Sequence, residues 1–276
     1  MNWFEKLLYD LQGTMETPLP YGWFHMSWIL LTLVAIIILF LLRKKYNEKQ
    51  LKIVLGIYGI ITFILELTKQ LIWSFNVDLN TLAITWDYTW YAAPFQFCTT
   101  PMYVSLICLF LKKNKIRDSL LSYIAFYTIL GSFMTIIIPS SCFTSDILIN
   151  IHTMYLHCGS LVLSVYLLII KEVKINYNNL LFGFIVFLFF VIIANTLNIS
   201  FYNLGILGDE TFNMFYISPY FISTLPVYNT IQEHLPYLFY LMIYIISIFL
   251  GGNIIYILSY LIQKINIIIN KKSFQK

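Results

Sequence analysis

The sequence predicts an all-α polytopic membrane protein: a bundle of seven transmembrane helices, N-terminus outside and C-terminus cytoplasmic. Three observations carry that expectation. Of the 276 residues 59% are hydrophobic and 11% charged, with a mean hydropathy of +0.78; no soluble domain of this size hides so much apolar surface. Apolar runs of the length needed to cross a bilayer, about 20 residues, recur at 22–42, 52–74, 93–111, 119–139, 151–170, 179–197 and 236–262. Finally, 15 of the 17 Lys and Arg residues follow the odd-numbered runs, at 43–52, 112–117, 171–174 and 264–276. Basic connections stay in the cytoplasm, which fixes the orientation. The even connections carry Asp78, Asp87, Asp146, Asp209, Glu210 and Glu233 without Lys or Arg.

Residues 1–21 lack the apolar core and small-residue cleavage site of a signal peptide. Trp3, Phe4, Leu7, Leu8 and Leu11 recur at helical spacing opposite Glu5, Lys6 and Asp10, which predicts a short interfacial helix. The seven-helix domain occupies 22–262. Within it the stretch 198–235, rich in Phe, Tyr, Pro and Asn, reads as a lid-like outer segment. Residues 263–276 form a basic cytoplasmic tail. The abundance of Ile, Phe, Tyr, Asn and Lys fits an AT-rich genome better than a role for aromatics. There is no soluble domain, long repeat or low-complexity tract.

Orientation converts position along each run into depth. His25, Glu66, Lys69, Gln70, Cys98, Thr99, Thr100, His152, His157, Asn195 and Asn198 all fall in the outer half, whereas the inner half is nearly pure Ile, Leu, Phe and Val. Ionisable groups inside a membrane are costly unless paired and default to functional candidates. Read alone, Glu66, Lys69 and Gln70 share one helix face and make a structural ion pair. His25, in YGWFHMSW, reads as an interfacial anchor, and His152 at the water boundary reads the same way.

Cys98 and His157 differ, since a thiol and an imidazole at matched depth on two helices supply a nucleophile and its base. On spacing alone Cys98 reads more readily as a small buried hydrophobe; Cys108 reads as inert and Cys158 points about 100° away from His157 round the helix. No CxxC or HExxH spacing occurs, and His152 and His157, five apart, diverge, so no metal and no cofactor is expected. The basic residues are all topological, which excludes a nucleic-acid surface. Oligomeric state is not written in the sequence.

The strings YGWFHMSWILLTL, ILELTKQ, PFQFC, GSFMTIIIP and HTMYLHCGSLVLSVYL resemble the YwaF-like bacterial integral membrane family over about residues 20–260. That family is distantly similar to the eukaryotic transmembrane protein 164 family, described as cysteine-dependent lipid acyltransferases. The resemblance implies Cys98 and His157 as the catalytic pair, and membrane phospholipids as substrate. It also implies a multi-pass protein of a bacterial plasma membrane. One departure stands out: the family's histidine two residues before the cysteine is Gln96 here. In this reading Gln96, Thr99 or Thr100 donates to the oxyanion and Glu66 orients an imidazole, with His25, Lys69, Gln70, His152 and Asn195 completing the polar cluster. The competing expectation is a transporter or non-enzymatic lipid-binding protein with an outer-facing polar pocket.

Overall fold

The structure, a computed structural model, describes residues 2–78, 80–81, 83–139 and 142–273. It contains ten α-helices among the described residues: α1 (Trp3–Leu11), α2 (Trp23–Leu42), α3 (Glu48–Ser74), α4 (Thr100–Phe110), α5 (Lys115–Tyr123), α6 (Ile129–Ile137), α7 (Ile147–Ile169), α8 (Tyr177–Asn203), α9 (Tyr228–His234) and α10 (Tyr237–Ser273). Two three-residue strands, β1 (Phe75–Val77) and β2 (Ile84–Trp86), pair antiparallel with Asn76 opposite Thr85. Helices α5 and α6 are one rod, Lys115–Ile137, joined through a π-helical turn at Ile124–Thr128.

Among the described residues six helices are long and apolar enough to cross a membrane: α2, α3, the α5–α6 rod, α7, α8 and α10. The remaining run, 93–111, is helical only over the 11 residues of α4. At 1.5 Å per residue that makes about 16 Å, roughly half of a hydrocarbon core of about 30 Å. The cause is local. Pro94 and Pro101 bracket the segment, and each removes a backbone donor that a continuing helix would use. Pro101 sits in the first turn of α4, where its missing N–H costs nothing. The stretch 263–276 is not a loose tail where it is described: α10 runs without a break to Ser273, and Lys276 lies outside the described residues.

Connections gather at two ends of the bundle. At the first, asparagines cap three helices with their side chains: Asn47 on Gln50 N (3.0 Å), Asn114 on Arg117 N (2.9 Å) and Asn176 on Asn179 N (2.8 Å). Each cap satisfies one of the N–H groups that a helix start leaves open. Here the guanidinium of Arg117, 1% exposed, donates to both carboxylate oxygens of Glu48 at 2.6 and 3.0 Å, and to Glu172 at 2.9 Å. Lys113 and the Tyr46 hydroxyl also donate to Glu172. One cluster, buried at Arg117 and Glu172, thus clasps the α2–α3, α4–α5 and α7–α8 connections. Burial, with the Glu172 carboxylate beside it, pushes the Tyr46 phenol well above its ordinary range.

At the opposite end the N-terminal segment pairs with the α6–α7 connection, Met15 N donating to Ser145 O at 2.8 Å. The α3–α4 connection touches the α8–α10 connection, Trp90 N donating to Glu210 at 2.7 Å. Helix α1 begins with a complete Asn2–Glu5 capping box and leaves Trp3 78% exposed while Phe4 meets Phe75 edge-on. Of the segment 198–235, residues 198–203 belong to α8 and 228–234 to α9. Met214, Phe215 and Ile217 between them are fully buried.

Candidate functional site

The centre of the site is a carboxylate on α3. Glu66, buried, accepts from three groups: His152 Nε2 at 2.8 Å, Lys69 Nζ at 2.6 Å and Gln70 Nε2 at 3.0 Å. Lys69 and Gln70 lie one turn further along the same helix, on the same face. His152 comes from α7. A carboxylate so far from water is tolerable only when its charge is matched and its lone pairs are filled, and this arrangement does both. Gln70 also donates to Ala92 O at 2.8 Å, tying the cluster to the irregular segment 93–99 that carries Cys98. Lys69 further lies 5.7 Å from the centre of the Trp73 ring.

Helix packing fixes the level of each group. A Cβ at Gly59 of α3 would lie 3.3 Å from the Cβ of Ser105 of α4. Seven residues from Gly59 toward the non-basic end is Glu66, and seven residues before Ser105 is Cys98. On the other side, Tyr58 packs on Gly159 while Glu66 reaches His152. Cys98, Glu66 and His152 therefore come level. The thiol lies within electrostatic reach of both Glu66 and Lys69. His157 follows His152 by five residues, about 7.5 Å further into the bundle.

Among the described residues, two buried polar atoms of this site, His157 Nδ1 and Gln70 Oε1, have no hydrogen-bond partner. Such atoms cost about 1–3 kcal/mol each, and the cost is relieved when a ligand supplies the donor. Cys98 and His157 are both partly exposed. Beneath them runs a seam of hydroxyls, of which the sequence singled out only Thr100. Thr128 and Ser164 both donate to Ile124 O at 2.9 Å, and Thr100 pairs with Tyr123 at 2.5 Å. The π-turn is what turns that carbonyl toward two donors.

Other expected members serve elsewhere. His25 accepts at Nδ1 from Tyr21 N at 3.0 Å, holding the turn before α2, and its Nε2 bonds Ile136 O at 2.9 Å, tying α2 to the end of α6. Asn195 accepts from Tyr237 at 2.6 Å, joining α8 to α10. Gln96 is a clamp: its Oε1 accepts from Phe215 N at 2.9 Å and its Nε2 donates to Asn213 O at 3.0 Å. Thr99 donates to Gln96 O at 2.8 Å and Thr100 to Phe97 O at 2.7 Å. The expected oxyanion donors on the Cys98 segment are thus committed to the backbone. The clamped segment is strained, with Phe215 and Tyr216 at φ 58° and 60°, a left-handed conformation costing non-glycine residues roughly 1–2 kcal/mol each. Surface hollows on the α8–α10 connection are lined by Tyr202, Asp209, Phe221 and Tyr237, away from Cys98.

Among curated proteins and solved structures none matches the chain. A family model described as the TMEM164 family matches residues 20–256, a stretch that contains α2 to α8, the Glu66 cluster, Cys98 and His157. That match takes in well over half of the sequence, and the chain accordingly belongs to the TMEM164 family.

Proposed function

We propose that this protein is a membrane-embedded phospholipid acyltransferase, a transacylase or lipid hydrolase, with Cys98 as nucleophile and His157 as its base. The observation that carries the reading is the thiol's position: it is level with a buried Glu66–Lys69–His152 cluster, and two buried polar atoms, His157 Nδ1 and Gln70 Oε1, have no partner among the described residues. His157 takes the thiol proton, and the thiolate attacks a lipid ester to give a thioester. The acyl group then passes to a second lipid or to water. Family membership supports a membrane setting, and the resemblance of the short motifs to the YwaF-like bacterial group favours a bacterial plasma membrane.

Residues 93–110 make the seventh crossing in this reading, because the connections before and after them lie at opposite ends of the bundle. The clasped end, where the basic residues collect, is cytoplasmic, and the Cys98 mouth faces the outer leaflet beneath the 204–236 lid. An outer site has no supply of cytoplasmic acyl-CoA, so the donor is a phospholipid already in the membrane.

The test is acyl transfer from a chain-labelled phospholipid by protein reconstituted in sided vesicles. Wild type is expected to form a hydroxylamine-sensitive acyl adduct, and Cys98→Ala and His157→Ala to lose it. Turnover that ignores both substitutions, or that runs on acyl-CoA alone, overturns the reading. Substrate-dependent lipid movement without an adduct would mark a transporter or lipid-binding module instead.

A further inference from the structure

Thioester chemistry at Cys98 needs two proton transfers on opposite sides of the carbonyl carbon, and one imidazole does not serve both. On entry the ester loses an alkoxide, a poor leaving group unless a proton meets it. His152 is the imidazole level with the thiol, and Glu66 holds its Nε2–H at 2.8 Å. An ionised carboxylate only accepts, so Nε2 carries the proton and Nδ1 is the nitrogen left for a substrate. Among the described residues nothing else hydrogen-bonds to it. Glu66 is itself fixed by Lys69 and Gln70, so the imidazole is oriented as a carboxylate orients the histidine of a hydrolase triad.

We propose that His152 is a second catalytic residue, the acid that protonates the leaving lysolipid oxygen and the base that later activates the acceptor hydroxyl, with Glu66 as its positioning residue. This rests on the Cys98 reading above. In the first half-reaction His157 takes the Cys98 proton, and the sulfur bonds to the ester carbonyl carbon as the C=O pair moves to oxygen. On collapse the C–O bond breaks, and the leaving oxygen takes the Nδ1 proton of the His152 imidazolium. In the second half-reaction the acceptor hydroxyl gives its proton to His152 as its oxygen bonds the carbonyl carbon. The C–S bond then breaks and the thiolate recovers the proton from His157. Both imidazoles end as they began.

A leaving group that needs no proton separates this role from a structural one. Full-length protein in vesicles is assayed with a chain-labelled glycerophospholipid and with the p-nitrophenyl ester of the same acyl chain, whose phenolate leaves unaided. For His152→Ala we expect formation of the Cys98 acyl adduct from the phospholipid to fall about 10²–10⁴-fold, as for loss of a general acid, while release of the first equivalent of p-nitrophenolate from the aryl ester stays within about threefold. Glu66→Gln is expected to show the same split, and added imidazole to restore part of the phospholipid rate in His152→Ala. His152→Gln, whose amide keeps a donor toward Glu66, serves if the alanine variant does not fold. Equal losses with both substrates, or an unchanged phospholipid rate, overturn the assignment of His152. If Cys98→Ala keeps activity on both esters, the nucleophile assignment itself fails; if it loses both while His152→Ala loses neither, only the second catalytic residue falls.

Discussion

At residue 96 this chain carries glutamine where its resembled family carries histidine, and the structure says what that position does. Gln96 faces the 213–215 backbone, donating to one residue and accepting from another, so the side chain braces a strained turn and is not a base lost from the site. Gln96→Ala should cost about 1–3 kcal/mol, the penalty of two orphaned backbone groups; limited proteolysis is expected to cut within 204–236 before wild type is cut. His25 makes a similar point. His25→Phe leaves Tyr21 N and Ile136 O unpaired, and should lower the melting temperature while specific activity per folded molecule is kept. The sequence identified Glu66, Lys69, Gln70 and His152 as polar residues of one level, because depth follows from counting along a helix. It did not show that Glu66 takes His152 and leaves His157 alone, nor that His25 and Asn195 stand apart, because partners across helices depend on rotation and register. Those are set by side-chain packing such as Tyr58 on Gly159.

The elements divide in the same way. Five of the expected spans appear as long helices with boundaries shifted by no more than six residues, and the span at 236–262 extends further, since apolar length and Asn caps are local signals. The caps at Asn47, Asn114 and Asn176 were present in KYNEKQ, KKNKIRD and KINYNNL as polar residues just before each helix. The break in 93–99 was also written there, in Pro94 and Pro101, but a hydropathy window averages such residues away. The π-turn at Ile124–Thr128 had no local signal; what accompanies it, the sharing of the Ile124 carbonyl by Thr128 and Ser164, is a contact between two helices. Where α8 crosses α5, a Cβ at Gly183 would meet Ser122 C and Tyr123 N at 2.9 Å. Backbone cannot step aside as a side chain can, so Gly183→Val is expected to destabilise by about 1–3 kcal/mol or more, read as a lower detergent-extracted yield and melting temperature. Gly205, with open space where its Cβ would be but a left-handed φ of 65°, should tolerate Asn better than Val.

For the whole molecule, orientation is checked by accessibility. A cysteine replacing the exposed Thr81 in the β1–β2 connection should react with an impermeant maleimide in intact cells, and one replacing the exposed Lys115 only after permeabilisation. The reverse pattern would invert the bundle. Arg117 is the other test at this scale. Removing one partner of a buried pair costs about 3–5 kcal/mol, so Arg117→Ala should unfold at distinctly lower temperature, whereas charge-topology reasoning from sequence gave this residue no structural weight. Its clasp has a mechanical consequence. A carrier that rocks between two faces must part the loops at each end in turn, and at this end three loops are locked by one guanidinium gripping two carboxylates. The floor of the molecule is shut by design of its charges, and whatever moves in a working cycle moves at the opposite mouth, where the backbone at Phe215 and Tyr216 is already under tension.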